Sequence, residues 1–292
     1  MGIIVNTNVA SLVAQRNLGQ ASDSLSQSME RLASGLRINH ASDDAAGMAL
    51  ALRMTSQIRS LAQAGRNVMD GISLVQVAEG AYNEVGNILI RLRELSVESA
   101  NGTLSTTDRT SLQTETDRLI NEITGIANST QFNGVVLLNS NSLGNTIVFQ
   151  VGMGTVSYTV SATDQISVTL YSLKASIFTS SATDISIGGA NQIVITTASN
   201  AQAALTTLDT VITNLNSSRA ALGAAQNDLE SRSRNLSISV ENLTAARSRI
   251  QDVDVASETS ELVRNQILVQ AGTSVLAQAN QLPSLALTLL GH

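Results

Sequence analysis

The chain has no cysteine, which excludes disulfides and thiolate chemistry. Its single proline, Pro283, leaves the rest of the sequence free to form helices of unusual extent. Tryptophan is absent and aromatics make up 2% of the chain, although hydrophobic residues make up 43%. Compact cores usually draw bulk from aromatics. Here the apolar mass is Leu, Ile, Val and Ala, which suits long helices packed along their length. Histidine occurs only as His40 and His292. A His-Glu-x-x-His zinc helix, a G-x-S-x-G nucleophile elbow and a Walker loop are all missing. His40 therefore reads as a solvated turn residue, and neighbouring Asp43 and Asp44 as helix-start chemistry. No enzymatic activity, metal or cofactor is expected. Net charge is −6 with no strongly basic segment, which argues against a nucleic-acid partner. No basic region followed by an apolar run opens the sequence, so no cleaved secretory signal is expected.

Charge is thin at both ends: the first Asp, Glu, Lys or Arg is Arg16 and the last is Arg264. The 28 residues from Asn265 to His292 contain none of the four, but ten are Asn, Gln, Ser or Thr. That is too polar for a membrane span, which needs about 20 predominantly apolar residues. Leu268, Ala271, Val275, Ala279, Leu282 and Ala286 step by 3, 4, 4, 3 and 4, an apolar stripe along a helix. Ala14, Leu18, Ala21, Leu25, Met29, Leu32 and Leu36 step by 4, 3, 4, 4, 3 and 4 near the other end. Both stripes follow an 11-residue period, which keeps helices nearly straight or slightly right-handed. The two ends are expected to pair as one coiled coil, residues 1–40 with 254–292.

Between the ends lies a longer bundle, expected over 41–140 and 200–253. Asn39 to Gly47 breaks the first stripe with turn and N-cap residues. The next helix carries Val68, Ile72, Val75, Tyr82, Val85, Leu89 and Leu92. Gly65, Gly71, Gly80 and Gly86 sit inside it, each costing about 1 kcal/mol against Ala, which suggests close helix approach. Asn101-Gly102 ends that helix, and Thr107-Asp108 opens another with Leu112, Leu119, Ile123 and Ile126. Residues 141–199 form the only β-rich insert, with strand character at Val148, Gln150 and Tyr158-Thr159-Val160. Gly152-Met153-Gly154 reads as a turn. Ala201, Leu208, Leu215, Leu222, Leu229, Leu236, Leu243 and Ile250 then recur at every seventh residue. Their expected companion seam is Leu205, Ile212, Arg219, Gln226, Ser233, Val240 and Arg247. The fold class is mainly α: a long antiparallel helical bundle and coiled coil built from both chain ends, with a small β-rich insert.

Five segments carry a resemblance. Asn39 to Gly47 (NHASDDAAG), Ile90 to Thr103 (IRLRELSVESANGT) and Thr130 to Gly134 (TQFNG) are similar to bacterial flagellins. So are Asn242 to Ile250 (NLTAARSRI) and Gln270 to Gln281 (QAGTSVLAQANQ). The resemblance covers about 1–140 and 205–292 in collinear order. It implies a structural subunit that self-assembles into the flagellar filament for motility, with few or no outer domains. The terminal helices would drive polymerisation, through Leu18, Leu25, Leu32, Leu36, Leu268, Val275, Leu282 and Leu289. Extracellular localisation after export unfolded through a narrow channel is implied as well. So are a flagellar export chaperone, cap and junction proteins, and the flagellin-sensing Toll-like receptor of animal hosts as partners. Carried over by motif position, Arg91, Leu95 and Glu115 would be principal receptor contacts, with Leu92 and Arg93 nearby; Ile90 stands where the family usually has Gln. A hook–filament junction protein, which shares flagellin-like termini, is the alternative.

Overall fold

The computed structural model describes residues 7–139, 145–154, 164–173 and 193–290, with the side chains of 282–290 outside the described set. Among the described residues, five helices and four strands form in the order α1 (Val9–Ser34), α2 (Ala45–Ser99), α3 (Thr106–Ser129), β1 (Gln131–Phe132), β2 (Val135–Val136), β3 (Asn145–Gln150), β4 (Gln165–Leu170), α4 (Ala198–Gln251) and α5 (Val255–Leu290). The architecture is mainly α. Residues cluster into two units, 1–58 with 241–292, and 59–240, so that α2 and α4 contribute to both. The β-rich insert belongs to the second unit.

In the first unit α1 and α5 run antiparallel. The side chain of Asn8 caps α1 by accepting from Ser11 N–H, and donates to the Ala279 carbonyl at 2.8 Å. At the opposite end Gly35 closes α1 with φ +73, a left-handed cap that glycine adopts without penalty. Leu36 and Asp252 then form an antiparallel bridge, with Arg37 N–H donating to Gln251 O at 2.6 Å and Val253 N–H to Gly35 O at 3.0 Å. That bridge fixes the register of the helix pair.

The second unit packs α2, α3 and α4 with the strands. Val68, Val75, Tyr82, Val85, Leu89, Leu92 and Leu95 of α2 are fully buried. The buried seam of α4 is Ala201, Ala204, Leu208, Val211, Leu215, Ser218 and Leu222, stepping 3 and 4. The seven-residue leucine row is thus internal as expected. Its companion is Ala204, Val211 and Ser218, one residue before the bulkier Leu205, Ile212 and Arg219, because small side chains let the helices approach. Gly71 lies against Phe149 and Leu229, and Gly86 against Leu215, each at 3.4 Å from a would-be Cβ. Gly65 and Gly80 meet nothing, so close approach accounts for two of the four glycines.

Ser105 and Asp108 form a capping box at the start of α3. Asn133 and Gly134, at φ +49 and +79, make the two-residue turn between β1 and β2 that Asn-Gly favours. Strands β3 and β4 pair antiparallel from Asn145↔Leu170 to Gln150↔Gln165. Tyr158-Thr159-Val160 lies outside the described residues. Gly152-Met153-Gly154 wraps the Asp164 carboxylate, which a Cβ at either glycine would strike. Tyr82 is wholly buried and donates its hydroxyl to the Tyr171 carbonyl at 2.7 Å. Returning from the insert, residues 193–195 dock through Gln113, whose amide donates to Ile193 O at 3.0 Å and accepts from Ile195 N–H at 2.7 Å.

Candidate assembly surface

Along α1 the positions turned toward α5 are Ser11, Ala14, Leu18, Ala21, Leu25, Ser28 and Leu32, buried or half-buried. Along α5 they are Glu258, Leu262, Asn265, Val269, Gly272, Leu276 and Ala279. Both sets step by 3 and 4, a heptad instead of the expected 11-residue period. The physical reason is the size of the residues at the seam. Ser28 is 3% exposed while its neighbour Met29 is 49% exposed. Gly272 brings α5 so close that a Cβ there would sit 3.2 Å from Leu18 Cδ1. Polar groups knit the seam: Ser11 Oγ donates to Asn280 Oδ1 at 2.7 Å, and Arg31 Nη1 lies 3.8 Å from the buried Glu258 carboxylate.

The consequence is a pair of apolar faces left exposed among the described residues. Leu268 and Val275 of α5 are 50% and 55% exposed, with Val263 and Ile267 beside them. On α1 the exposed apolar residues are Val9, Leu12, Val13 and Met29. Leu268, Ala271 and Val275 line a shallow groove of about 310 Å³ whose other wall is Ala14, Asn17, Leu18 and Ala21. Leu18, Leu25, Leu32 and Leu36 are half-buried. Leu282 and Leu289 fall within α5, but their side chains lie outside the described residues. Val263, Ile267, Val9, Leu12 and Val13 were not picked out by the stripe, because a single stripe follows one face and these helices carry two. Exposed apolar area on this scale marks an interaction surface. Among the described residues no helix is long and apolar enough to cross a membrane.

The segment joining α1 to α2 is pinned by acids. Asp43 Oδ2 accepts from Asn39 and His40 N–H at 3.1 and 3.0 Å, and Oδ1 from Gln27 Nε2 at 3.0 Å. The backbone donors, His40 first, hold the Asp43 carboxyl below the usual carboxylate range. Asp44 caps α2 by accepting from Gly47 N–H at 2.8 Å. His40 Nε2 meets Glu30 Oε1 at 2.7 Å in the open. Among the described residues no cluster of His, Cys, Asp or Glu is arranged to hold a metal.

On the second unit, Arg91 donates to Glu115 Oε1 from Nε at 3.1 Å and from Nη2 at 2.9 Å, and to Glu94 Oε2 at 3.1 Å. Glu115 before Glu94 raises the already high pKa of its guanidinium. Arg93 Nε reaches Asp209 Oδ1 of α4 at 2.8 Å. Leu92 and Leu95 are 0% exposed. These two leucines face the core, and of the five residues expected at a receptor surface Arg91, Arg93 and Glu115 reach solvent.

Two family models match: the bacterial flagellin N-terminal helical region over residues 5–142, and the bacterial flagellin C-terminal helical region over 205–290. The chain belongs to the bacterial flagellin family. It is 44% identical to a flagellin of Bacillus subtilis over 308 aligned positions, covering 98% of this chain and 99% of that one. It is 43% identical to the flagellar filament 33 kDa core protein of Treponema phagedenis over 99% of this chain and 100% of that one. Among solved structures, a Bacillus cereus flagellin aligns at TM-score 0.48 and 28% identity, over 59% of this chain and 88% of that one. This flagellin is short, with about 60 residues between the two matched regions and no large outer domain. It is a structural subunit of the flagellar filament, self-assembling into a homopolymer, and not an enzyme. Nothing in the matches favours the junction-protein alternative.

Proposed function

We propose that polymerisation of this flagellin is driven by the terminal coiled coil, residues 1–40 with 254–292, through the outer faces of α1 and α5. The observation that carries this reading is the inversion of size at the seam, where Ser28 and Gly272 are inside and Met29, Leu268 and Val275 outside. A helical polymer needs heterologous contacts that do not close into a ring. Each large aliphatic side chain taken from solvent to full burial contributes about 1.5–3 kcal/mol. The charge-free stretch after Arg264 fits the same role, since an isolated ion buried between subunits is costly. Removing Asn265–His292 is expected to abolish seeded filament growth while the 59–240 bundle keeps its helical circular dichroism. Filaments grown from that truncated protein would refute the reading.

Family membership supports the remaining partners: an export chaperone and cap and junction proteins, with export and extracellular residence. It also supports recognition by the flagellin-sensing Toll-like receptor, which we assign to Arg91, Arg93 and Glu115 as the exposed members of the motif. Leu92 and Leu95 would act by holding the backbone beneath them. Arg91→Ala, which removes the two-carboxylate pairing, is expected to weaken signalling in a receptor reporter assay with monomer. Potency equal to wild type removes Arg91 from that surface.

A further inference from the structure

Two Asn-Gly steps lie among the described residues, Asn101-Gly102 and Asn133-Gly134, and filament assembly as argued above uses the chemistry of neither. The step is labile because a glycine nitrogen, with no Cβ beside it, can attack the amide carbon of the preceding Asn. We propose that Asn101 is a site of spontaneous deamidation, and that the fold directs the reaction there and away from Asn133.

Asn101 follows the end of α2, exposed together with Gly102. Its Oδ1 accepts from Thr103 N–H at 3.2 Å. The ring closed by that bond contains both the Asn101 Cγ and the Gly102 nitrogen, and the donor polarises the carbonyl under attack. The backbone carbonyl of Asn101 accepts from Arg109 Nη2 at 2.7 Å and from Leu104 N–H at 3.4 Å. That carbonyl and the attacking nitrogen belong to one peptide group. A guanidinium on its oxygen stabilises the anion formed when the Gly102 N–H is lost, as donors stabilise any developing oxyanion. Arg109 is held in place by a second bond, from Nε to the Ser99 carbonyl at 2.9 Å. At the other step, the turn between β1 and β2 holds Asn133 at φ +49 with paired strands on both sides. Among the described residues no cation donates to the Asn133 carbonyl.

The step balances without a co-reactant other than water. Solvent hydroxide removes the Gly102 N–H proton, the nitrogen bonds to Asn101 Cγ, and the bond from Cγ to Nδ2 breaks with release of ammonia. Water then opens the cyclic imide at either carbonyl, giving aspartate or isoaspartate at 101. Isoaspartate turns the backbone carbonyl that Arg109 binds into a free carboxylate and lengthens the backbone between α2 and α3.

The test follows full-length monomer held at mildly alkaline pH in heavy-oxygen water, with site-resolved peptide mass spectrometry. Labelled acid is expected at Asn101 before Asn133, with both aspartate and isoaspartate present. Gly102→Ala is sterically open, since a Cβ there meets nothing within 4 Å, and it should suppress the reaction. Arg109→Ala should slow it, and in urea the two Asn-Gly steps should convert alike. Conversion of Asn133 as fast as Asn101 in the folded protein overturns the proposal. So does either variant converting at the wild-type rate, or a preference for Asn101 that survives in urea.

Discussion

Tyr82 carries the bulk that the near absence of aromatics denies the rest of the core. It is fully buried, and its one polar atom is met by the Tyr171 carbonyl. Tyr82→Phe leaves that carbonyl without its partner, a loss of about 1–3 kcal/mol in urea unfolding if no water replaces it. Burial pushes the Tyr82 phenol well above the ordinary tyrosine range. The sign follows from linkage: above about pH 10 the phenol of the unfolded state ionises while the buried one stays protonated, so stability falls as pH rises. That part of the alkaline loss should be absent from Tyr82→Phe, and urea midpoints measured across the alkaline range check it. Gly47 makes a related point about small size. A Cβ there would lie 2.3 Å from Asp44 Oδ2 and 2.8 Å from Ile38 Cδ1, so the α2 cap and a buried isoleucine both need the hydrogen. Neither requirement is visible in composition, because each depends on a neighbour that only folding supplies.

At the scale of elements, periodicity was legible and phase was not. The row from Leu208 to Leu236 is buried as its spacing predicts. Yet in α1, α4 and α5 alike the seam also holds a small residue where a larger apolar one stands adjacent: Ser28 against Met29, Ala204 against Leu205, Gly272 against Ala271. A reading that assigns the greasiest residue to the interior assumes that the single molecule buries all it can. For a subunit of a polymer that assumption fails, since some apolar surface is reserved for other copies. The Asn133-Gly134 turn and the α2 stripe were legible because both serve the single molecule. In the Arg91–Leu95 segment the sequence placed the residues on α2, but only packing shows that Leu92 and Leu95 face inward while Arg91 and Arg93 reach solvent. The tight α1–α5 seam yields its own prediction. Gly272→Leu should overpack it against Leu18, costing about 1–3 kcal/mol. Limited proteolysis should then cut the α1 and α5 ends sooner than in wild type.

For the whole molecule, few aromatics and thinly charged ends belong together in a filament subunit whose terminal helices pair through a seam that mixes small residues with leucines and leave other large apolar side chains exposed. The most direct measurement uses Leu268→Asp/Val275→Asp, both on the outer face of α5. Circular dichroism of the monomer should match wild type, because the substituted side chains already meet solvent. Light scattering after seeding with short wild-type filaments should then show no elongation. Elongation at the wild-type rate with monomer helicity intact would contradict the assignment of that face to neighbouring subunits.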